Sequence, residues 1–147
     1  MTILVDTNII ISASLESRSE LFKIITSPYI HLDFATPYFA LEEITHHQVE
    51  ICRKLKKSVE LFQNNLSVLL SHLLILPNED LSNKNIKEAE SFTASIDIDD
   101  TIFVAFSIGL DLLLWTGDNK LRKALKRKGY KNVIETKELK QIIKGLR

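Results

Sequence analysis

The segment Met1-Thr-Ile-Leu-Val-Asp-Thr-Asn8 decides how the rest of the chain is read. Ile3, Leu4 and Val5 are continuously apolar, which suits a strand buried on both faces of a parallel sheet rather than one with a wet side. The run stops at Asp6. An ionised carboxylate at the end of a buried strand is costly unless it is paired, hydrogen-bonded or bound to a cation. In open α/β sheets, ligands bind beyond the carboxyl ends of the strands, where Asp6 is expected to sit. Its ordinary role there is to cap the turn Thr7-Asn8. Asn8, two residues on, is placed to orient the carboxylate through its amide.

The pattern recurs near the other end of the chain. Asp111-Leu-Leu-Leu-Trp-Thr116 reads as a short apolar strand, Gly117-Asp118 follows, and Leu121, Ala124 and Leu125 mark a helix stopping near Gly129. Asp118 suits a helix N-cap as well as a site at the strand end. Between the two, residues 16–25 suggest an amphipathic helix and residues 30–36 a strand. Thr36-Pro37 predicts a helix start, Thr36 as N-cap and Pro37 in the first turn, with Leu41, Ile44, Ile51 and Leu55 along one face to about Lys57. Val59, Phe62, Leu66, Leu69 and Leu70 mark a further helix before a strand at Leu73–Leu76. Their helical spacing is that of core packing, and the surplus of apolar positions also suggests a homodimer interface that Phe62 would help to form.

Residues 83–94 predict another helix. Asp99 and Asp100 then head the nearly all-apolar TIFVAFSIGL, one of them expected as its cap, and residues 132–135 suggest a last strand. Strands alternating with helices imply right-handed crossovers and a mostly parallel sheet covered on both faces. With 147 residues, four Gly and three Pro, the chain reads as one globular domain over 1–147 without a long linker.

The charge balance is zero, which is not the signature of a simple nucleic-acid binder. It hides an asymmetry. Residues 1–117 carry 8 Lys and Arg against 16 Asp and Glu, whereas residues 118–147 carry 11 against 3. The basic segment is either a solvated helix face or a contact for a phosphate backbone beside an acidic pocket. Cys52 is the only cysteine, so an internal disulfide is excluded, and no apolar run is long enough to cross a bilayer. A cytoplasmic protein is expected. His46 and His47 follow Glu42 and Glu43 at spacings that face one another on a helix, but no HExxH arrangement is present, which favours solvated ion pairs over zinc.

Glu42 and Glu43 lie early in the helix after Pro37, next to its apolar stripe. Each alone reads as exposed surface. Together with Asp6, Asp99, Asp100 and Asp118, they fall where strand ends and helix starts converge in one crevice. Such a cluster repels itself, and divalent cations are the usual remedy.

The stretches VDTNIIIS, TPYFALEEI and DDTIFVAFSIGLDLLLWTGD together resemble the PIN-domain family, which includes the VapC-type toxins of bacterial toxin–antitoxin pairs. The resemblance spans nearly the whole chain and implies a three-layer α/β/α fold with a central, mostly parallel sheet. Carried over motif by motif, it implies Asp6, Glu42, Asp100 and Asp118 as catalytic acids and metal ligands, with Asn8 and Thr116 in support. Asp97 and Asp99 are accessory acids, as is Glu43, which stands one residue further from Thr36-Pro37 than Glu42; the two glutamates remain alternatives.

The activity implied is hydrolysis of RNA phosphodiester bonds with Mg²⁺ or Mn²⁺. Lys120, Arg122, Lys123, Lys126 and Arg127 would receive the RNA backbone, and an antitoxin protein is the implied partner. Two other readings compete. An Asp-nucleophile phosphatase would need a second acid where Asn8 stands, and a catalytically inactive PIN-like RNA- or protein-binding module would keep the fold without the chemistry.

Overall fold

The computed structural model describes residues 1–146. Five parallel strands form one sheet in the order β3-β2-β1-β4-β5: β1 Thr2–Val5, β2 Asp33–Pro37, β3 Leu73–Leu76, β4 Leu113–Trp115 and β5 Val133–Ile134. Among the described residues, eight α-helices connect and cover them: α1 Thr7–Leu15, α2 Glu20–Thr26, α3 Tyr38–Lys54, α4 Val59–Leu70, α5 Asn83–Thr93, α6 Asp99–Leu110, α7 Asn119–Arg127 and α8 Thr136–Gly145. The expected α/β architecture is therefore present, and every strand pair is parallel.

Strand β1 is central. Ile3 pairs with Phe34 on one side and Leu113 on the other, and Ile3, Leu4 and Val5 have no exposed surface. Helix α1 packs on α2, α3 and α4, while α5 packs on α6 and α7. The chain moves outward from β1 to β2 and β3, then returns across the sheet to β4 and β5. By the right-handed rule for parallel crossovers, these two helix groups belong on opposite faces of the sheet. The direction of strand order thus reverses between β1 and β4, the position at which open α/β sheets bind ligands beyond the carboxyl ends of their strands.

Several element boundaries differ from expectation. Thr7–Leu15 is a helix directly after Asp6, so Asp6 ends a strand and begins a helix rather than closing a loop turn. Thr36 is not the cap of α3. It is the fourth residue of β2 and its hydroxyl donates to the Val5 carbonyl at 2.9 Å, so that Pro37 becomes the N-cap and the helix starts at Tyr38. Neither Asp99 nor Asp100 caps α6: Ile98 is the N-cap residue, and Asp97 accepts the Asp99 N–H at 3.0 Å. Helix α7 ends where Gly129 takes φ +89°, a conformation that favours glycine. Helix α8, whose Glu135 and Glu138 form a capping box, was not anticipated.

Phe62 and Leu69 are fully enclosed in the core, which overturns the expectation that Phe62 belongs to a dimer interface. The apolar side chains that α4 does expose are Leu61 and Val68. Truncating Phe62→Ala is expected to lower folding stability by about 3 kcal/mol through the cavity it leaves, whatever the oligomeric state. Thermal melts at two protein concentrations measure this. An unchanged melting temperature would contradict the core assignment. Trp115 is also core, tilted against Phe34 at 5.9 Å between ring centres, with its indole N–H donating to Thr136 Oγ1 at 3.0 Å. Among the described residues, no helix is long and apolar enough to cross a membrane.

Candidate active site

Asp6 remains tied to the sheet after β1 ends, because its N–H donates to the Trp115 carbonyl at 3.0 Å. Its side chain is 5% exposed. Oδ1 accepts the Thr7 N–H at 2.7 Å, and Oδ2 accepts the Thr116 hydroxyl at 2.7 Å. Burial raises the Asp6 pKa; the bonds from Thr116 and Thr7 act against that rise, and the nearby charge of Asp118 adds to it.

Thr116 ties the two strand ends together. While its hydroxyl donates to Asp6, its Oγ1 accepts the Asp118 N–H at 3.0 Å and the Asn8 side-chain amide at 3.4 Å. Asn8 Oδ1 in turn accepts the Gly117 N–H at 3.2 Å. Asn8 was expected to orient the Asp6 carboxylate, but its amide reaches Thr116 instead, and the two residues brace the loop after β4 against the first turn of α1. Asp118 caps α7, its Oδ1 accepting the Leu121 N–H at 3.1 Å. It also lies close enough to raise the pKa of both Asp6 and Asp100. Cap and cluster member are one residue.

Asp100 opens α6 and is half-buried. Its pKa is pushed up to about 7, first by burial and then by the charges of Asp6, Asp97, Asp118 and Glu43. The acid of α3 that acts on the cluster is Glu43. Its Oε1 accepts the Thr7 hydroxyl at 2.7 Å, and its pKa is raised by burial and by Asp6, Asp99 and Asp97, with the Thr7 bond opposing. Glu42 is exposed and faces elsewhere, lining an open groove of about 740 Å³ with Tyr38, Leu41, Thr45, His46, Leu66 and Leu70. The structure therefore brings Asp6, Glu43, Asp100 and Asp118 together, with Asp97 and Asp99 exposed at the rim, and leaves Glu42 outside. Adjacent helix residues point about 100° apart, so one position along α3 decides which glutamate meets Asp6.

Thr7 is a residue that the sequence reading passed over. Its signal was its place between the strand-end acid and Asn8.

The basic residues divide into two sets. Arg122 is bonded to Glu135 at 3.1 Å with little exposed side chain, and Lys126 reaches Glu138 at 3.6 Å, so both are engaged with the acids that flank the start of α8. Arg127 Nε donates to the Lys123 carbonyl at 3.4 Å. Lys120 and Lys123 are exposed and, among the described residues, have no acidic partner.

A parallel sheet covered by helices, with acids gathered at the β1/β4 reversal, defines an α/β domain. A PIN domain family model matches residues 4–139, and the chain belongs to that family. Its fold is similar to that in the crystal structure of VapBC2 from Rickettsia felis bound to a DNA fragment from their promoter. That match has 18% sequence identity and a TM-score of 0.65, and covers 92% of this chain and 97% of the other. A comparison with curated proteins finds no match.

Proposed function

We propose that this PIN domain is an endoribonuclease that depends on Mg²⁺ or Mn²⁺, and that its acids are Asp6, Glu43, Asp100 and Asp118. One observation carries the reading: Asp6, Glu43 and Asp100 all have raised pKa values, each in part because they face other acids. Among the described residues, no Lys, Arg or His forms a salt bridge with any member of the set. A cluster of buried and half-buried carboxylates without a counter-charge is what a hard divalent cation relieves.

The donors fit such an ion in kind, being carboxylate oxygens supported by hydroxyl and amide groups. Among the described residues, no group of three or more Asp, Glu, His or Cys side chains is already arranged to hold a metal ion. Mg²⁺ is an ion that keeps several of its waters and takes one or two carboxylates directly. Bound there, one or two ions would activate water and offset charge on the attacked phosphate. Thr116 holds the Asp6 carboxylate in place, and Asp118 is fixed as the cap of α7. Asp100, half-buried with its pKa pushed up to about 7, is suited to exchange protons near neutral pH, and Glu43 beside it has its pKa raised by burial and by neighbouring acids.

The test is direct. The purified protein is expected to cleave single-stranded RNA with Mg²⁺ or Mn²⁺ and to stop when EDTA is added. Cleavage that persists in EDTA with a clean preparation would overturn the mechanism. The substrate backbone is expected on the exposed basic side of α7. Neutralising Lys120 and Lys123 together should weaken RNA affinity and reduce the slope of log affinity against log salt by roughly one to two. An unchanged slope would mark that surface as merely solvated. A protein antitoxin is the partner we propose, from the likeness to VapBC2.

A further inference from the structure

Thr7 stands between two of the acids and contacts both. Its N–H donates to Asp6 Oδ1 at 2.7 Å, and its hydroxyl donates to Glu43 Oε1 at 2.7 Å, joining the first turn of α1 to α3. The side chain is buried, with 8% exposure. Asp6 and Glu43 repel one another, and Asp97 and Asp99 add to the repulsion on Glu43. Glu43 is only half-buried, so solvent offers its flexible side chain a way out of the cluster. Among the described residues, the Thr7 hydroxyl is the hydrogen-bond donor that holds it in.

We propose that Thr7 is a positioning residue whose hydroxyl keeps Glu43 turned toward Asp6, so that the two acids act on one cation site. The inference rests on reading Glu43 as the α3 acid. Thr7→Val has the shape but not the donor, whereas Thr7→Ser keeps the donor.

The experiment uses four variants, Thr7→Val, Thr7→Ser, Glu43→Gln and the double variant Thr7→Val/Glu43→Gln, with two readouts: calorimetric titration with Mn²⁺ alone, and steady-state RNA cleavage. Thr7→Val is expected to weaken Mn²⁺ binding and lower kcat by about 10-fold each, a typical loss for a group that orients a ligand, with KM for RNA unchanged. Thr7→Ser should restore both to within about twofold. On the Glu43→Gln background, Thr7→Val should add nothing, because a residue acting only through Glu43 has no further effect once that carboxylate is gone. Wild-type Mn²⁺ affinity and kcat in Thr7→Val would overturn the proposal, as would a full additional loss in the double variant. If the wild-type chain binds Mn²⁺ but cleaves no RNA, the nuclease reading falls and the Mn²⁺ titrations alone decide on Thr7. A chain that binds no Mn²⁺ overturns both.

Discussion

Glu43→Gln is expected to reduce divalent-dependent RNA cleavage by at least about 100-fold, equivalent to roughly 2.7 kcal/mol of lost transition-state stabilisation, whereas Glu42→Gln should leave it within about twofold. The two side chains are neighbours in sequence and identical in chemistry, so composition, net charge and helix propensity hardly differ between the variants. Position alone separates them. Glu43 accepts a bond from Thr7 and shares its negative field with Asp6 and Asp100, while Glu42 faces the groove lined by Tyr38, Leu66 and Leu70. Gln keeps the size of Glu and can still accept from the Thr7 hydroxyl, so both variants should fold, and melting curves check this. The opposite order of effects would place the working acid in that groove and break the link between Thr7 and the site.

This pair also shows how far the sequence could be read. Acids at strand ends are legible because an apolar run followed by Asp is expensive without a reason, and both Asp6 and Asp118 were found in this way. The choice between Glu42 and Glu43 was not legible to the same degree. It depends on helical phase, and the phase was set by a tertiary contact: the Thr36 hydroxyl bonds Val5, keeps residues 36 and 37 in β2 and delays the helix to Tyr38. A local cap signal at Thr36-Pro37 carries no information about that bond.

Helix α1 was hidden for a related reason. Its residues, Thr7 to Leu15, include three consecutive isoleucines, which do not mark one face of a helix and have strand preference. Packing against α4 and α3 overrides that preference. The ion pairs that engage Arg122 and Lys126 need α8, and α8 was read only as the tail of a basic segment. Its Glu135 and Glu138 now explain why part of that positive charge is spent inside the fold.

Asp100→Asn should abolish cleavage, by at least about 1,000-fold if it carries a metal-bound role, and at the same time make the metal-free protein more stable at neutral pH. The sign follows from linkage. Asp100 holds its proton up to about 7 in the folded chain against 3.8 for an ordinary aspartate, so between those values the folded state binds more protons than the unfolded one. Stability from this group is fully present below the lower value and is lost as pH rises through the upper one. At 1.36 kcal/mol per pH unit the loss could not exceed about 4 kcal/mol, and solvent screening at a half-exposed carboxyl brings it to roughly 1–2 kcal/mol. For a chain of this size that is about 3 to 8 °C in Tm. The wild-type protein in EDTA should therefore melt progressively lower between about pH 4 and about pH 7, while Asp100→Asn should show a flatter profile and the higher Tm at neutral pH. Adding Mn²⁺ at neutral pH should restore the wild-type melting temperature, because a cation bound only by the folded state stabilises it by mass action. The same addition should do much less for Asp100→Asn. A wild-type profile that instead rises from acid to neutral pH in EDTA, or a variant that Mn²⁺ stabilises equally, would mean that the Asp100 carboxyl is not held among uncompensated acids at a cation site.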